Sequence, residues 1–163
     1  MTQIDAKISE AYGQKLRVRV CGICIKEDKL LLVHHKSLGK TGSLWAPPGG
    51  GMEYGESAEE ALIREFKEET GLTIEIKDFL FVHEYLDRPL HGIELFFLVN
   101  SISGELKLGS DPEMTTENQI LTKIGYHNLE MLRTQEMENL HYVLQNSSSI
   151  NEMINRKGYF KFH

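Results

Sequence analysis

A chain of 163 residues, 40% of them apolar, has enough material for one ordinary core and too little for two full-sized domains, so residues 1–163 are read as a single domain. With 24 acidic against 18 basic side chains the net charge is −6, which argues against a chain that binds a nucleic acid polymer by neutralising many phosphates. Met1 to Glu10 shows neither a signal-peptide core nor an Arg-rich transit pattern, and the longest aliphatic run, Leu30 to Val33, is far below the roughly 20 residues of a spanning helix; the expectation is a cytoplasmic protein with no membrane insertion.

Strand signals run through Leu16 to Ile25 and Lys29 to His34, with Glu27 and Asp28 between them as the polar turn of a hairpin. Cys21 and Cys24 form a C-x-x-C inside the first strand, where side chains three apart face opposite ways. No second pair completes a thiolate site, so both are read as small buried hydrophobes in a reduced compartment. Ser37 to Gly55, with Gly39, Gly42, Pro47, Pro48 and the triplet Gly49, Gly50, Gly51, reads as a long loop. Such a loop in a small domain is usually functional or disordered.

A helix then starts sharply, with Ser57 as N-cap, Glu60 completing a capping box and Gly71 as the stop after Thr70. Thr73 to Ile76, Phe79 to Tyr85 and Ile93 to Asn100 read as strands from their β-branched and aromatic content. Ser101 to Asn118 is loop-like, and a strand is expected at Ile120 to Tyr126. Leu129, Leu132, Leu140 and Leu144 predict one or two helices between Asn128 and Gln145. After a polar break at Asn146 to Ser149 comes a last helical turn, and Tyr159, Phe160 and Phe162 are expected to dock the tail on the body.

The helix from Ser57 to Thr70 carries charge on the wrong face. Taking Glu65 as zero and about 100° per residue, Ala58 falls at about 20°, Ala61 at about 320°, Leu62 at about 60° and Phe66 at about 100°. Glu65 and Glu69, the latter at about 40°, sit inside that apolar arc, and Glu68, at about 300°, lies at its margin. Residues three and four apart on a helix are neighbours, so these like charges repel by about 0.2–0.5 kcal/mol per pair and more when desolvated. A proton or a hard divalent cation compensates; Mg²⁺ does so while keeping positions open for water and phosphate. Arg64 and Glu56 would then support the cluster. The bland alternative is a capped helix whose acidic end merely reaches solvent.

From Gly50 to Leu72 the sequence reads Gly50, five residues, Glu56, seven residues, Arg64-Glu65, Phe66, one residue, Glu68-Glu69, one residue, Gly71-Leu72. This resembles the Nudix box over all 23 residues, with Trp45-Ala46-Pro47-Pro48-Gly49 as a similar lead-in in which Pro47 stands where a leucine-like residue is more common. The resemblance, to the MutT-like Nudix hydrolases, implies an α+β fold with a mixed β-sheet sandwiched between α-helices. It also implies that Glu68 and Glu69 are principal metal ligands, Glu65 a ligand or the base that activates water, and the Gly49 carbonyl a further ligand. Arg64, partnered by Glu56, would hold the carboxylates, and Gly50 and Gly51 would let the backbone approach phosphate.

The implied activity is metal-dependent hydrolysis, by in-line attack of water, of a pyrophosphate bond in a nucleoside diphosphate linked to another moiety: a nucleoside triphosphate, a nucleotide sugar or ADP-ribose. Mg²⁺ is the expected cofactor, and Mn²⁺ asks for nearly the same ligands. In this family a later loop often supplies one more carboxylate; among Glu105, Asp111, Glu113 and Glu117 the favoured residue is Glu117, just before the expected strand, with Glu113 second. The seven histidines are read as structural or surface residues; if any lines a substrate pocket it is His83 or His91. A homodimer is compatible with the resemblance. The rival readings are a non-catalytic nucleotide sensor on the same fold, which predicts gaps in the carboxylate set, and an acidic module for a basic protein, which leaves the glycine triplet unexplained.

Overall fold

The computed structural model describes residues 3–112 and 114–162. Its elements in chain order are α1 (Gln3–Tyr12), β1 (Leu16–Lys26), β2 (Lys29–Lys36), β3 (Ser43–Ala46), β4 (Gly49–Gly51), α2 (Ala58–Thr70), β5 (Thr73–Asp87), β6 (Leu90–Ser103), β7 (Leu121–His127), α3 (Leu129–Glu136), α4 (Tyr142–Gln145), α5 (Ile150–Asn155) and β8 (Gly158–Phe160). The strands form a mixed sheet in the order β3-β2-β1-β6-β5-β8, with β4 added on β1 and β7 on β2. β1 runs parallel to β6 and antiparallel to β2 and β4.

The alternation of side chains along β1 divides the interior. Cys21 and Ile23 point into a cluster with Phe81, Phe96, Leu132, Leu144 and Met153, on the face covered by α3, α4 and α5. Val20 and Cys24 point into the other cluster, with Leu62 and Phe66 of α2. The sheet therefore lies between helices, as expected, and the two free, buried cysteines serve opposite cores.

Local chemistry explains most boundaries. The β1–β2 turn places Glu27 and Asp28 at φ 51° and 59°, the doubly positive pair whose twist suits a two-residue hairpin. Helix α2 has the full capping box: Ser57 Oγ accepts the Glu60 N–H, and the Glu60 carboxylate accepts the Ser57 N–H. It ends at Gly71 in the left-handed conformation, φ 73°, which only glycine adopts without cost.

Two expectations are corrected, and one element is new. The stretch from Ser37 to Gly55 is not all loop, since it contains β3 and β4. Three glycines have no strand propensity of their own; β4 exists because β1 supplies its hydrogen-bond partners, pairing Arg19, Val20 and Cys21 with Gly51, Gly50 and Gly49. The two strands expected within Thr73 to Tyr85 are a single β5, whose register shifts between Ile76 and Asp78 and between Phe79 and Phe81 take up the irregularity that broke the alternation. Helix α1 carried no sequence signal, and it is held at Ile8, which is buried, and at Tyr12, whose ring lies 4.0 Å from the Arg17 guanidinium carbon.

At the end of the chain, β8 adds parallel to β5. Phe160 packs edge-on to Phe81 and Phe162 stacks on His83, while the Tyr159 ring is exposed and only its hydroxyl reaches Glu84. Two of the three tail aromatics thus dock as expected.

Candidate active site

The carboxylates of α2 meet the glycine strand β4. Glu69 is buried and its Oε2 accepts the Gly49 N–H at 3.0 Å. Gly50 packs against Glu65 so tightly that a β-carbon there would stand 2.3 Å from the carboxylate. A side chain at this position would displace the carboxylate, so glycine at β4 is what lets Glu65 stand where it does.

Arg64 ties this cluster together. Its Nε and Nη2 donate to the two oxygens of Glu56 at 3.1 and 2.7 Å, Nη1 donates to Glu65 at 3.0 Å and to Glu68 at 3.2 Å, and Nη2 also reaches the Gly51 carbonyl at 3.1 Å. One guanidinium thus spans helix, strand and the loop before the helix. Glu56 in turn accepts the Glu53 N–H at 2.6 Å, which fixes that loop.

Burial raises the proton affinity of both interior carboxylates. The Glu65 carboxyl is pushed up to about 7, mainly by desolvation, with Arg64 opposing and Glu68 adding repulsion. Glu69 is pushed up to about 8 by burial, against the Gly49 N–H, with Glu65 and Asp111 adding negative charge. These are oxygen donors short of positive charge.

Glu65, Glu69 and all three glycines line a cavity of about 710 Å³ between β4, α1, the β5–β6 turn and α4, a size that accommodates a nucleotide-like ligand. Glu68, more exposed at 27%, shares Arg64 at the margin, where the helical angles put it. The structure does not bring Glu117 here: it lies exposed on a 3₁₀ turn, Thr116–Asn118, and it is Asp111 that lines the cavity. The cause is Gln119, whose amide takes the Asp111 N–H at 2.8 Å and donates to the Asp111 and Met114 carbonyls, folding the loop so that the 3₁₀ turn faces outward. Glu105 is exposed as well, and Glu113 lies outside the described residues.

Of the seven histidines, His35, His91 and His141 line the cavity; His91 is one of the two singled out for a pocket, while the other, His83, is fully buried. His35 is buried, and desolvation pushes its pKa down to about 3, so it stays neutral. Arg17, Arg19 and Glu94 are further cavity residues that the sequence reading passed over. A signal for them existed. Arg17 and Arg19 have the strand parity of Cys21 and Ile23, and Glu94 has that of Phe96, so each puts charge on a core-facing row, as Glu65 does on its helix.

The NUDIX domain family model matches residues 15–143. The chain is 45% identical over 96 residues to an ADP-ribose pyrophosphatase of Methanocaldococcus jannaschii, an alignment covering 58% of this chain and 56% of that protein. It is 33% identical over 95 residues to an 8-oxo-dGTP diphosphatase of Proteus vulgaris, covering 57% of this chain and 83% of the relative. Among solved structures, a MutT NUDIX hydrolase from Burkholderia pseudomallei superposes with a TM-score of 0.60 at 24% identity over 71% of this chain and 85% of that one, a likeness of fold. The chain spans just over half the length of the Methanocaldococcus protein, at 56%. With the family match running from the start of β1 into α4 and enclosing every carboxylate of the site, the chain belongs to the NUDIX domain family.

Proposed function

We propose that this protein hydrolyses the pyrophosphate bond of a nucleoside diphosphate linked to another moiety, with a divalent cation held by α2. The observation that carries the reading is the convergence of half-buried Glu65 and buried Glu69 on glycine backbone, beside an arginine-bound Glu68. The names of the relatives, an ADP-ribose pyrophosphatase and an 8-oxo-dGTP diphosphatase, support the same substrate class.

The donor set fits Mg²⁺: it consists of hard carboxylate oxygens, crowded, partly desolvated and under-compensated by Arg64 alone. Glu65, Glu68, Glu69 and the Gly49 carbonyl would hold the ion, and Mn²⁺ suits the same oxygens. When bound, the cation neutralises charge on the pyrophosphate oxygens and acidifies water.

The chain's own residues do the rest. Arg64 fixes the carboxylates through three acidic partners, so little reorganisation is needed when substrate arrives. Arg17, on the wall formed by β1, balances the charge of the diphosphate. Glu65 would either join the ligands or, as the base, accept the proton of the attacking water as the phosphorus–oxygen bond to the leaving phosphate breaks. Asp111 is the loop carboxylate placed to assist, in the role expected of Glu117.

We further read residues 1–163 as one domain working in the cytoplasm. Support comes from a sheet that joins the tail strand β8 to the body and from two buried free thiols of the kind a reducing compartment permits. Among the described residues no helix is long and apolar enough to cross a membrane.

The test is phosphate-coupled turnover of the purified protein on nucleoside triphosphates, nucleotide sugars, ADP-ribose and dinucleoside polyphosphates, with Mg²⁺ and with chelator. Metal-dependent hydrolysis abolished in Glu68→Gln and Glu69→Gln supports the reading. Tight nucleotide binding without turnover of any substrate would replace it with a sensor.

A further inference from the structure

A second buried charge sits in the cavity away from the α2 carboxylates. Across the sheet one row of register partners runs Gly51, Arg19, Glu94, His83, on β4, β1, β6 and β5. Glu94 is 5% exposed and lines the cavity; its Oε2 lies 2.7 Å from His83 Nδ1 and 2.9 Å from His141 Nε2.

The proton positions follow from the backbone. His141 Nδ1 accepts the Val143 N–H at 3.2 Å, so the ring proton is on Nε2, which donates to Glu94. His83 Nδ1 donates to the same oxygen, because an ionised carboxylate only accepts. The ligand atoms of His83, Glu94 and His141 lie within 4.8 Å of one another, yet His141 Nε2 carries a proton and is not a metal ligand in this arrangement. Burial works to raise the Glu94 pKa, but the two histidines and Arg19 outweigh it and hold the carboxyl well below the usual range.

Arg19 Nε, at this end of the cavity, lacks a partner beside the Glu94 oxygen that the two histidines do not engage. Glu94 Oε1 has Arg19 Nε at 3.7 Å, too long for a hydrogen bond, and Arg19 Nε is itself buried without one. A buried arginine donor without an acceptor is costly, and beside it stands a carboxylate anchored by its other oxygen. It is complementary to a ligand edge that offers a donor beside an acceptor.

We propose that Glu94 and Arg19 read the lactam edge of the substrate's base, a ring N–H beside a carbonyl oxygen, as in a 6-oxopurine or a 2,4-dioxopyrimidine. This rests on the nucleoside diphosphate reading above. Two sheet spacings separate Gly51 from Glu94, about 10 Å, which is the reach from a nucleotide's phosphates across its ribose to its base. Tyr85, two residues beyond His83 and on the same face of β5, and Tyr142 of α4 line the cavity with ring centroids 5.9 Å apart, giving a base an aromatic wall that a sugar does not need. Arginine pairs best with a carbonyl oxygen and a carboxylate with an acidic N–H. Adenine and cytosine carry the two functions in reversed order, an acceptor on the ring and a donor outside it, so in the same pose they set acceptor against Glu94 and donor against Arg19.

The experiment is calorimetric titration of the full chain, in Mg²⁺, with the α,β-methylene diphosphates of guanosine, uridine, adenosine and 1-methylguanosine, which resist cleavage. The guanosine and uridine compounds bind about tenfold or more tightly than the adenosine compound, and methylation at N1 removes the advantage. Glu94→Gln brings the four affinities together. The 1-methylguanosine comparison needs no variant and so stands even where Glu94→Gln does not fold. Equal affinities in the wild-type protein, or no binding at all, overturn the proposal. Base-independent binding with metal-dependent turnover sinks the base reading and leaves the hydrolase standing; base-selective binding without turnover does the reverse.

Discussion

Gly50 lies against Glu65 so closely that a β-carbon on the glycine would stand 2.3 Å from the carboxylate carbon. The atom it meets ends a flexible side chain, so Gly50→Ala displaces the carboxylate and leaves the fold standing. A misplacement of about 1 Å at a reacting centre costs roughly a hundredfold in rate. The expected outcome is a kcat reduced about a hundredfold with an unchanged circular dichroism spectrum; a rate within threefold of wild type would remove Glu65 from the chemistry.

Arg64 holds Glu56, Glu65 and Glu68 from a single guanidinium. Lysine keeps the charge but lacks the planar fork, so Arg64→Lys does not rescue it. Glu56→Gln weakens the two-oxygen grip from the other side. Both variants lose about 10- to 100-fold in activity or metal affinity, read from turnover against Mg²⁺ concentration.

The metal-free protein responds to pH with a definite sign. Glu65 and Glu69 bind protons in the native state up to about 7 and about 8, whereas a carboxyl with the ordinary value of 4.5 has released them. Between those limits the native state holds more protons than the unfolded chain, so stability falls as pH rises. In chelator the melting temperature therefore declines from pH 5 to pH 8 for these two groups. Glu69→Gln flattens the decline, and Mg²⁺ raises the melting temperature most at pH 8. A melting temperature that rises across this window in both wild type and Glu69→Gln would contradict the assignment.

Asp111 lines the cavity and Glu117 stands outside it. Asp111→Asn lowers kcat more than Glu117→Gln does, by about tenfold or more for a group that assists proton transfer. Paired rate profiles over pH 6 to 9 rank them, and the reverse order would return the role to the 3₁₀ turn.

The box was legible because its chemistry is local. A helix has one angular rule, so Glu65 and Glu69 declare themselves among Ala61, Leu62 and Phe66, and Glu69 is found buried with Glu65 half-buried beside it. The hairpin turn at Glu27 and Asp28, the cap at Ser57 and the stop at Gly71 depend on only a few neighbouring residues, and each was readable for that reason. The division of Cys21 and Cys24 between two cores followed from strand parity alone.

Whatever depended on a distant partner was decided by the tertiary structure. Gly49, Gly50 and Gly51 become a strand because β1 lends them hydrogen bonds; Asp111 replaces Glu117 at the cavity because Gln119 folds the intervening loop; and Glu94 meets His141 across 47 positions of sequence because α4 packs over β6. The sequence by itself determined the acidic helix and the face its carboxylates share with the apolar residues, since periodicity, capping and charge are written in consecutive residues. Only the folded chain decided what lines the cavity beyond the box, because those groups come from β1, β6, α1, α4 and the loop at Asp111, and no local rule states which of them will meet.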